Sequence, residues 1–372
     1  MIQNNLYKGF EVELFTGSLN SHIGVSAEIE KNFPDFVKEP DNRNVEYITT
    51  PEKDYNFLYE KLITPRKKLR RWLNKKELTI IPSSTLCFKH DIQLQRSDIN
   101  NVYHQFIQDN YGTSIATSSV HINVGIDDLD KLFAAIRLIR CEAALYLALS
   151  ASSPFLNNKI TENHSQRWMQ FPKTPSKVPF FVNHNSYIDW IKENIANKNM
   201  QNIRHFWSSI RPNGPQRPLI LDRLELRICD FVYDINLLLG ITAMIELRIL
   251  NLFENINTLD PLNASFFSID KLSEICDQNE TNAAKDSLDS ELINWQDGKK
   301  VICREWIQNL LSDLSSTAGN FGMKHLLNPI YKVLREGNQS MKWINQYEKG
   351  LSIEQIMKIS IEDMIRIENE NV

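Results

Sequence analysis

The sequence predicts an α+β fold, with sheet-forming segments mainly over residues 7–232 and a helical C-terminal part over 235–372. Three observations point to it. The stretches "GFEVELF" (9–15), "SSVHINVGI" (118–126) and "DRLELRICDF" (222–231) alternate apolar and polar residues, the period of a strand with one buried face. Residues 129–152 and 235–253 are long and densely apolar, which marks buried helices. Beyond residue 235 the pattern is mainly helical, and strands grouped ahead of helices belong to the α+β class.

In chain order, residues 1–50 read as short strands and turns ending in "VEYITTP". A helix is expected over 53–76, interrupted at Pro65, because proline lacks the N–H and crowds the preceding turn. Its basic run "RKKLRR" (66–71) reads as a solvated face. "ELTIIPSSTL" (77–86) is a strand entering a loop, and "NNVYHQFIQDNYGT" (100–113) a short helix stopped by Gly112. The helix over 129–152 stops ahead of Pro154. Residues 154–218 are rich in Pro, Asn, Ser and Trp and read as long loops over a site. Further helices are expected at 235–254, 301–315, 323–336 and 353–369, and the polar stretch 277–291 as a mobile loop.

Of the 372 residues 42% are hydrophobic, enough for a large core. The net charge of −4 and pI of about 6.1 offer no basic surface to nucleic acid, so no nucleic-acid partner is expected. Anionic substrates would have to be met by local arginines. The five cysteines, Cys87, Cys141, Cys229, Cys276 and Cys303, form no C-x-x-C pair and suit a reducing compartment. "MIQNNLYKGF" has no apolar leader region, and 235–253 carries Glu246 and Arg248. A cytoplasmic protein with no membrane partner is therefore expected.

The polar faces of the three clear strands are unusual. They carry Glu11 and Glu13, then His121 and Asn123, then Glu225 and Arg227; a less regular segment, 39–51, adds Glu39, Asp41 and Glu46. A wet sheet face is polar by default, but like charges opposed on it are destabilising. Carboxylates are the ligands that Mg²⁺ takes, and Mn²⁺ accepts them together with an imidazole. A cation between Glu11 and Glu13 would remove their repulsion. No glycine-rich phosphate loop, H-E-x-x-H or G-x-S-x-G occurs, so a nucleotide would have to be held by metal ions and arginines.

At "GFEVELF", "EPDNRNVEY", "SSVHINVGI", "SSPF…SQRW", "SSIRPN" and "LELRICD", in this order, the chain resembles the second glutamate–cysteine ligase family. "NNVYHQFIQDNYGT" and "INWQDGKKVICREWI" are similar to its cyanobacterial branch. The likeness runs from about residue 7 to 360. It implies one catalytic domain over 1–372 with a glutamine-synthetase-like fold: a curved, mainly antiparallel sheet forming a bowl, helices on its outer face. The implied activity is ATP-dependent joining of the γ-carboxylate of L-glutamate to the amine of L-cysteine through an acyl phosphate. The product, γ-glutamylcysteine, leads to glutathione.

On the matching positions, Glu11, Glu13, Glu39, Glu46, His121 and Glu225 would hold Mg²⁺, with Mn²⁺ as the alternative. Arg167, Arg211 and Arg227, with Asn123, would bind the ATP phosphates or a substrate carboxylate, and Arg211, Glu225 and Arg227 would be catalytic. Each has a plainer alternative. His121 could be a bonded sheet histidine, Glu39 a solvated turn residue, and Glu225 an ion-pair partner of Arg227. Arg167 could lie on the surface over Trp168, and Arg211 could brace a loop. Cys229 is expected at the site wall, unreactive; Trp295 and Arg304 receive no role. A nearby carboxylate is expected to deprotonate the incoming amine. Two other functions stay open: the same chemistry with another amine, and a non-catalytic nucleotide- or amino-acid-binding protein.

Overall fold

The structure is a computed structural model that describes residues 5–89 and 93–370. A seven-stranded sheet organises the N-terminal part, every pairing antiparallel. Its strands are β1 (Lys8–Gly17), β2 (Phe36–Lys38), β3 (Asn44–Ile48), β4 (Thr79–Ile81) and β5 (Val120–Gly125). A small hairpin, β6 (Phe155–Leu156) with β7 (Lys159–Ile160), separates these from β8 (Ile210–Asn213) and β9 (Arg223–Leu226). The order is β2-β3-β1-β5-β9-β8, with β4 against the far end of β1. The alternation holds in β1: Phe10, Val12 and Leu14 are buried in the core, and Glu11 and Glu13 stand on the opposite face.

Helices α1 (Ser26–Asn32), α2 (Tyr55–Asn74), α3 (Val102–Tyr111), α4 (Leu129–Ser150), α5 (Gln166–Gln170) and α6 (His184–Ala196) lie among these strands in sequence. After them come α7 (Ile235–Glu254), α8 (Ile256–Leu259), α9 (Pro261–Ala264) and α10 (Ile269–Asp286), then a hairpin of β10 (Glu291–Ile293) and β11 (Lys300–Ile302). The chain ends in α11 (Cys303–Asp313), α12 (Ser315–Asn320), α13 (Asn328–Glu336), α14 (Gln339–Glu348) and α15 (Ile353–Glu370). Asp54, Asp128 and Asp234 cap α2, α4 and α7, each accepting from free backbone N–H groups of the first turn.

Helix α4 packs on β8 and β9, and α2 on β1; α7 and α10 pack against α4. One hydrophobic core runs from Phe10 in the sheet to Met364 in α15. Helix α7 is the one helix among the described residues long and apolar enough to cross a membrane, and 83% of its most apolar window is buried. Its two buried charges have buried partners. Arg248 grips Glu142 of α4 at 2.7 Å, and Glu246 accepts from Lys8 Nζ at 2.8 Å and Tyr55 Oη at 2.7 Å.

Three expectations need correction. Pro65 does not interrupt α2, which runs unbroken from Tyr55 to Asn74. An internal proline costs about 3 kcal/mol, and the buried stripe Leu58, Leu62, Ile63, Leu69 and Leu73 on both sides of it offsets that cost. The basic run is not wholly solvated: Arg66 and Arg70, one turn apart, both grip Glu368 of α15, at 2.9 and 2.5 Å. Residues 277–291 are not a loop. Helix α10 continues to Asp286 because Ile275, Cys276, Asn279, Ala283 and Ala284 recur on one buried face.

The stretch 154–218 is mixed. Segments 171–183 and 197–202 are irregular as expected, but α6 stands between them, opened by a capping box of Asn183 and Ser186.

Candidate active site

The pairing register places the polar residues of separate strands side by side. Glu13 of β1 faces Glu46 of β3; Glu11 faces His121 of β5; Asn123 faces Glu225 of β9; Glu225 in turn faces Arg211 of β8. Since side chains alternate, one row of opposed pairs puts all of them on one face. A slip of one residue in any ladder would scatter them.

Two groups of three potential ligands result, Glu11–His121–Glu225 and Glu13–Glu39–Glu46, each with its donor atoms within 4.8 Å of one another. His121 links them: Nδ1 lies 2.9 Å from Glu11 Oε2 and 3.7 Å from Glu225 Oε1, and Nε2 lies 3.7 Å from Glu13 Oε1. Ser119 Oγ donates to Glu13 Oε2 at 2.7 Å and sits 3.1 Å from His121 Nε2. So His121 is bonded to its neighbours, and Glu39 is no solvated turn residue: it lines a cavity and shares a hydrogen bond with Glu46.

The charges in the second group are barely compensated. Burial, then Glu39, Glu11 and Glu13, push the Glu46 carboxyl well above its ordinary range, and burial raises Glu13 and Glu39 as well. Glu11 differs. Burial and Glu225 push it up, but the His121 bond and Arg227 outweigh them and hold it low.

Glu225 is fully buried. Arg211 grips it with Nε at 2.7 Å and Nη2 at 3.0 Å, Asn213 Nδ2 donates at 2.7 Å, and Arg227 Nη1 closes the other side. Burial opposes ionisation, yet Arg211 and Arg227 win and keep it well below the carboxylate range. Glu225 thus anchors two guanidinium groups, the ion pair with Arg227 included, and Arg211 does more than brace a loop.

A cavity of about 1020 Å³ opens over this face, at the upper end of the roughly 300–1,000 Å³ usual for small-molecule sites. Glu11, Glu13, Glu39, Glu46, His121, Arg211 and Arg227 line its floor; Tyr103 and His104 of α3 and Ile203, Arg204, Trp207 and Arg217 form the walls. Asn123 bonds Glu11 Oε1 at 3.1 Å and also lines an adjoining groove of about 400 Å³ with Tyr7 and Arg223.

Two expected site residues lie elsewhere. Arg167 is buried behind the cavity floor, its guanidinium donating to the carbonyls of Arg227 and Ile228 at 3.0 Å. It braces the strand exit rather than lying on the surface, although its guanidinium does lie over Trp168, 5.9 Å from the ring centre. Cys229 is not at the site wall. The ladder ends at Leu226, and the Cys229 thiol turns to the Tyr146 carbonyl of α4 at 3.9 Å, where burial pushes it up to about 12. All five cysteines are free and buried.

Sequence reasoning missed Arg217, His104 and Ser119. Arg217 donates Nη2 to the Ile203 carbonyl at 2.9 Å, while its buried Nη1 has no hydrogen-bond partner and lies 4.0 Å from Glu225; burial and Arg211 lower it to about 10. Nothing in its local pattern, "GPQRPL", marks it. Ser119 and His104 do sit in segments singled out by resemblance, "SSVHINVGI" and "NNVYHQFIQDNYGT".

The chain matches glutamate-cysteine ligase family 2 (GCS2) over residues 7–366. Among similar proteins, one from Sorangium cellulosum is 24% identical over 65% of this chain and 62% of its own length. One from Gloeobacter violaceus is 27% identical over 63% and 60%, and one from Legionella pneumophila 21% identical over 98% and 97%. All three carry provisional names as glutamate–cysteine ligase 2 enzymes. The match spans about three-fifths of the length of the first two.

Among solved structures, the glutamate–cysteine ligase of Francisella tularensis in complex with AMP superposes with a TM-score of 0.77 at 13% identity, covering 99% of this chain and 89% of that one. The bifunctional glutathione synthetase of Pasteurella multocida gives 0.74 at 13% identity, covering 98% and 52%. These likenesses establish the fold as glutamine-synthetase-like α+β, as expected. With the match running nearly end to end, the chain belongs to glutamate-cysteine ligase family 2.

Proposed function

We propose that this chain is an ATP-dependent carboxylate–amine ligase that joins the γ-carboxylate of L-glutamate to the amine of L-cysteine. One observation carries the reading: two acidic triads sharing His121 as a bridge, with two arginines anchored beside them on the floor of one large cavity. The donor set fits divalent cations. Glu13, Glu39 and Glu46 offer only oxygen, as Mg²⁺ prefers, and Glu11 with His121 adds an imidazole that Mn²⁺ tolerates. The raised Glu46 carboxyl is a second sign of fit, since a cation is what its surroundings lack. Glu225 completes the first triad, but its oxygens already serve Arg211, Asn213 and Arg227, so its foremost task is to hold the arginines.

Cations held there would neutralise the β- and γ-phosphate oxygens of ATP. Arg211 and Arg227, fixed by Glu225, present N–H donors where charge spreads over the transferred phosphoryl group. The glutamate γ-carboxylate displaces ADP to form an acyl phosphate, and the amine then displaces phosphate. Arginine suits these positions because its planar fork binds an anion in two places. Five buried free thiols accord with a reducing, cytoplasmic setting.

The test is phosphate release from ATP with glutamate, Mg²⁺ and a panel of amines, with products identified by mass. Cysteine should give the highest turnover, and equal turnover with other amines would overturn that choice of acceptor. The second reading, another amine on the same scaffold, draws on the apolar wall of Tyr103, Ile203 and Trp207, which offers room for a larger acceptor.

A further inference from the structure

The incoming amine is protonated at neutral pH and needs a base. The expected carboxylate base has no free candidate. Every carboxylate lining the main cavity, Glu11, Glu13, Glu39 and Glu46, belongs to one of the triads. Of the other titratable groups on its walls, Lys38 is a cation held by Glu30 at 3.1 Å, and the Tyr103 phenol is pushed up to about 12 by burial. The arginines keep their protons. His121 also lines the cavity but is taken up between Glu11 and Glu13 as a member of the first triad. The imidazole outside the triads is His104.

Resting on the ligase reading, we propose that His104 is the general base that takes the proton from the acceptor amine. A short chain of bonds sets its tautomer. Ser97 Oγ donates its only proton to the backbone carbonyl of Glu39, so toward His104 that oxygen can only accept. His104 Nδ1 lies 3.5 Å from it, a long contact that suits the tautomer the proposal requires, with the ring proton on Nδ1. Nε2 is left with its lone pair and has no hydrogen-bond partner among the described residues, on a ring that lines the cavity. The relay also ties the base to Glu39, whose own carboxylate lies in the second triad.

His104 is the third residue of α3, its backbone N–H capped by Asn101 at 3.3 Å, so the base rides on a helix rather than a free loop. The charged groups around it are Asp98 and Arg96 of the preceding turn and Lys38 of β2. Burial lowers its affinity for protons, Asp98 opposes, and Lys38 and Arg96 reinforce, so the ring is neutral and able to accept at physiological pH.

The step balances. Nε2 takes one proton from the ammonium and becomes an imidazolium. The freed nitrogen pair forms the C–N bond at the acyl carbon, the C–O bond to phosphate breaks, and its electron pair leaves with phosphate. The second nitrogen proton goes to that phosphate, and the imidazolium releases its proton to solvent.

The test compares two nucleophiles, L-cysteine and hydroxylamine, with glutamate, ATP and Mg²⁺. Hydroxylamine is already unprotonated at neutral pH and does not need the base. In His104→Ala and His104→Gln, γ-glutamyl amide formation should fall by about 10²-fold or more while hydroxamate formation changes little. The amide deficit should shrink as pH rises. Equal losses with both nucleophiles, or an unchanged amide rate, would overturn the assignment. Ser97→Ala keeps the ring but removes its orienting acceptor together with the bond to the Glu39 carbonyl, so it should shift the same ratio in the same direction by a smaller factor; no shift counts against the relay. A wild-type protein that makes neither amide nor hydroxamate overturns the ligase reading itself.

Discussion

On the outer side of the sheet, Glu142, Glu246 and Glu368 each meet buried cations: Arg248, Lys8, and the pair Arg66 and Arg70. On the inner side, Glu13, Glu39 and Glu46 meet one another. No lysine or arginine nitrogen lies within 4 Å of those three among the described residues; the nearest charge partner is His121, 3.7 Å from Glu13. The outer pairs are sealed in the core, whereas the inner three line the floor of the cavity. The outer pairs are complete as the chain folds and tie helices together. The inner group has no such counter-charge from the chain itself, and that contrast is what motivates the proposed cation site.

This contrast can be broken from either side. The largest expected effect is on the outer side. Glu142→Gln leaves Arg248 buried without its counter-charge and should cost about 3–5 kcal/mol in urea unfolding; a cost below about 1 kcal/mol would mean that the pair is surface-like. Next, Arg211→Lys keeps a charge but loses the two-pronged grip on Glu225 at 2.7 and 3.0 Å. Its kcat should fall by roughly 10²–10³-fold, with the unfolding midpoint moving much less than in Glu142→Gln.

The third effect is a pH dependence. Glu13, Glu39 and Glu46 hold their protons to higher pH in the folded protein than when unfolded. Their contribution therefore favours folding at or below the ordinary carboxylate range and weakens as pH rises through their raised values. Glu11 and Glu225 act oppositely, losing their contribution as pH falls through their lowered values. Divalent cation should remove the first loss: at about 100 times its Kd, Mg²⁺ adds roughly 2.7 kcal/mol, more visibly near neutral pH than near pH 5. A thermal midpoint indifferent to Mg²⁺ at both would argue against the site. The smallest effect is the most telling. Glu46→Gln should raise the midpoint of the cation-free protein slightly, by removing a crowded charge, while abolishing the Mg²⁺ response.

Much of this site is legible because it lies on strands. The alternation in 9–15 separates Phe10, Val12 and Leu14 from Glu11 and Glu13 without any knowledge of neighbours, and 118–126 does the same for His121 and Asn123. The residue pattern noted Glu39 beside Glu46, and resemblance gave it a ligand role that its own turn context left weak. Arg167 and Cys229 were misplaced for one reason. Their positions follow the end of regular structure or lie in a five-residue helix, where no period says which way a side chain points. Arg217 and His104 carry no pattern of their own, and they matter only because the wall they belong to folds over the sheet.

The sequence by itself determined which side chains share a strand face and which helices are buried, since both follow from a local period and the drive to remove apolar surface from water. Only the tertiary structure decided that Glu13 meets Glu46, that Glu11 meets His121 and that Arg70 waits for Glu368. Ladder register and long-range charge pairing are contests between distant segments, settled by the packing of the whole core.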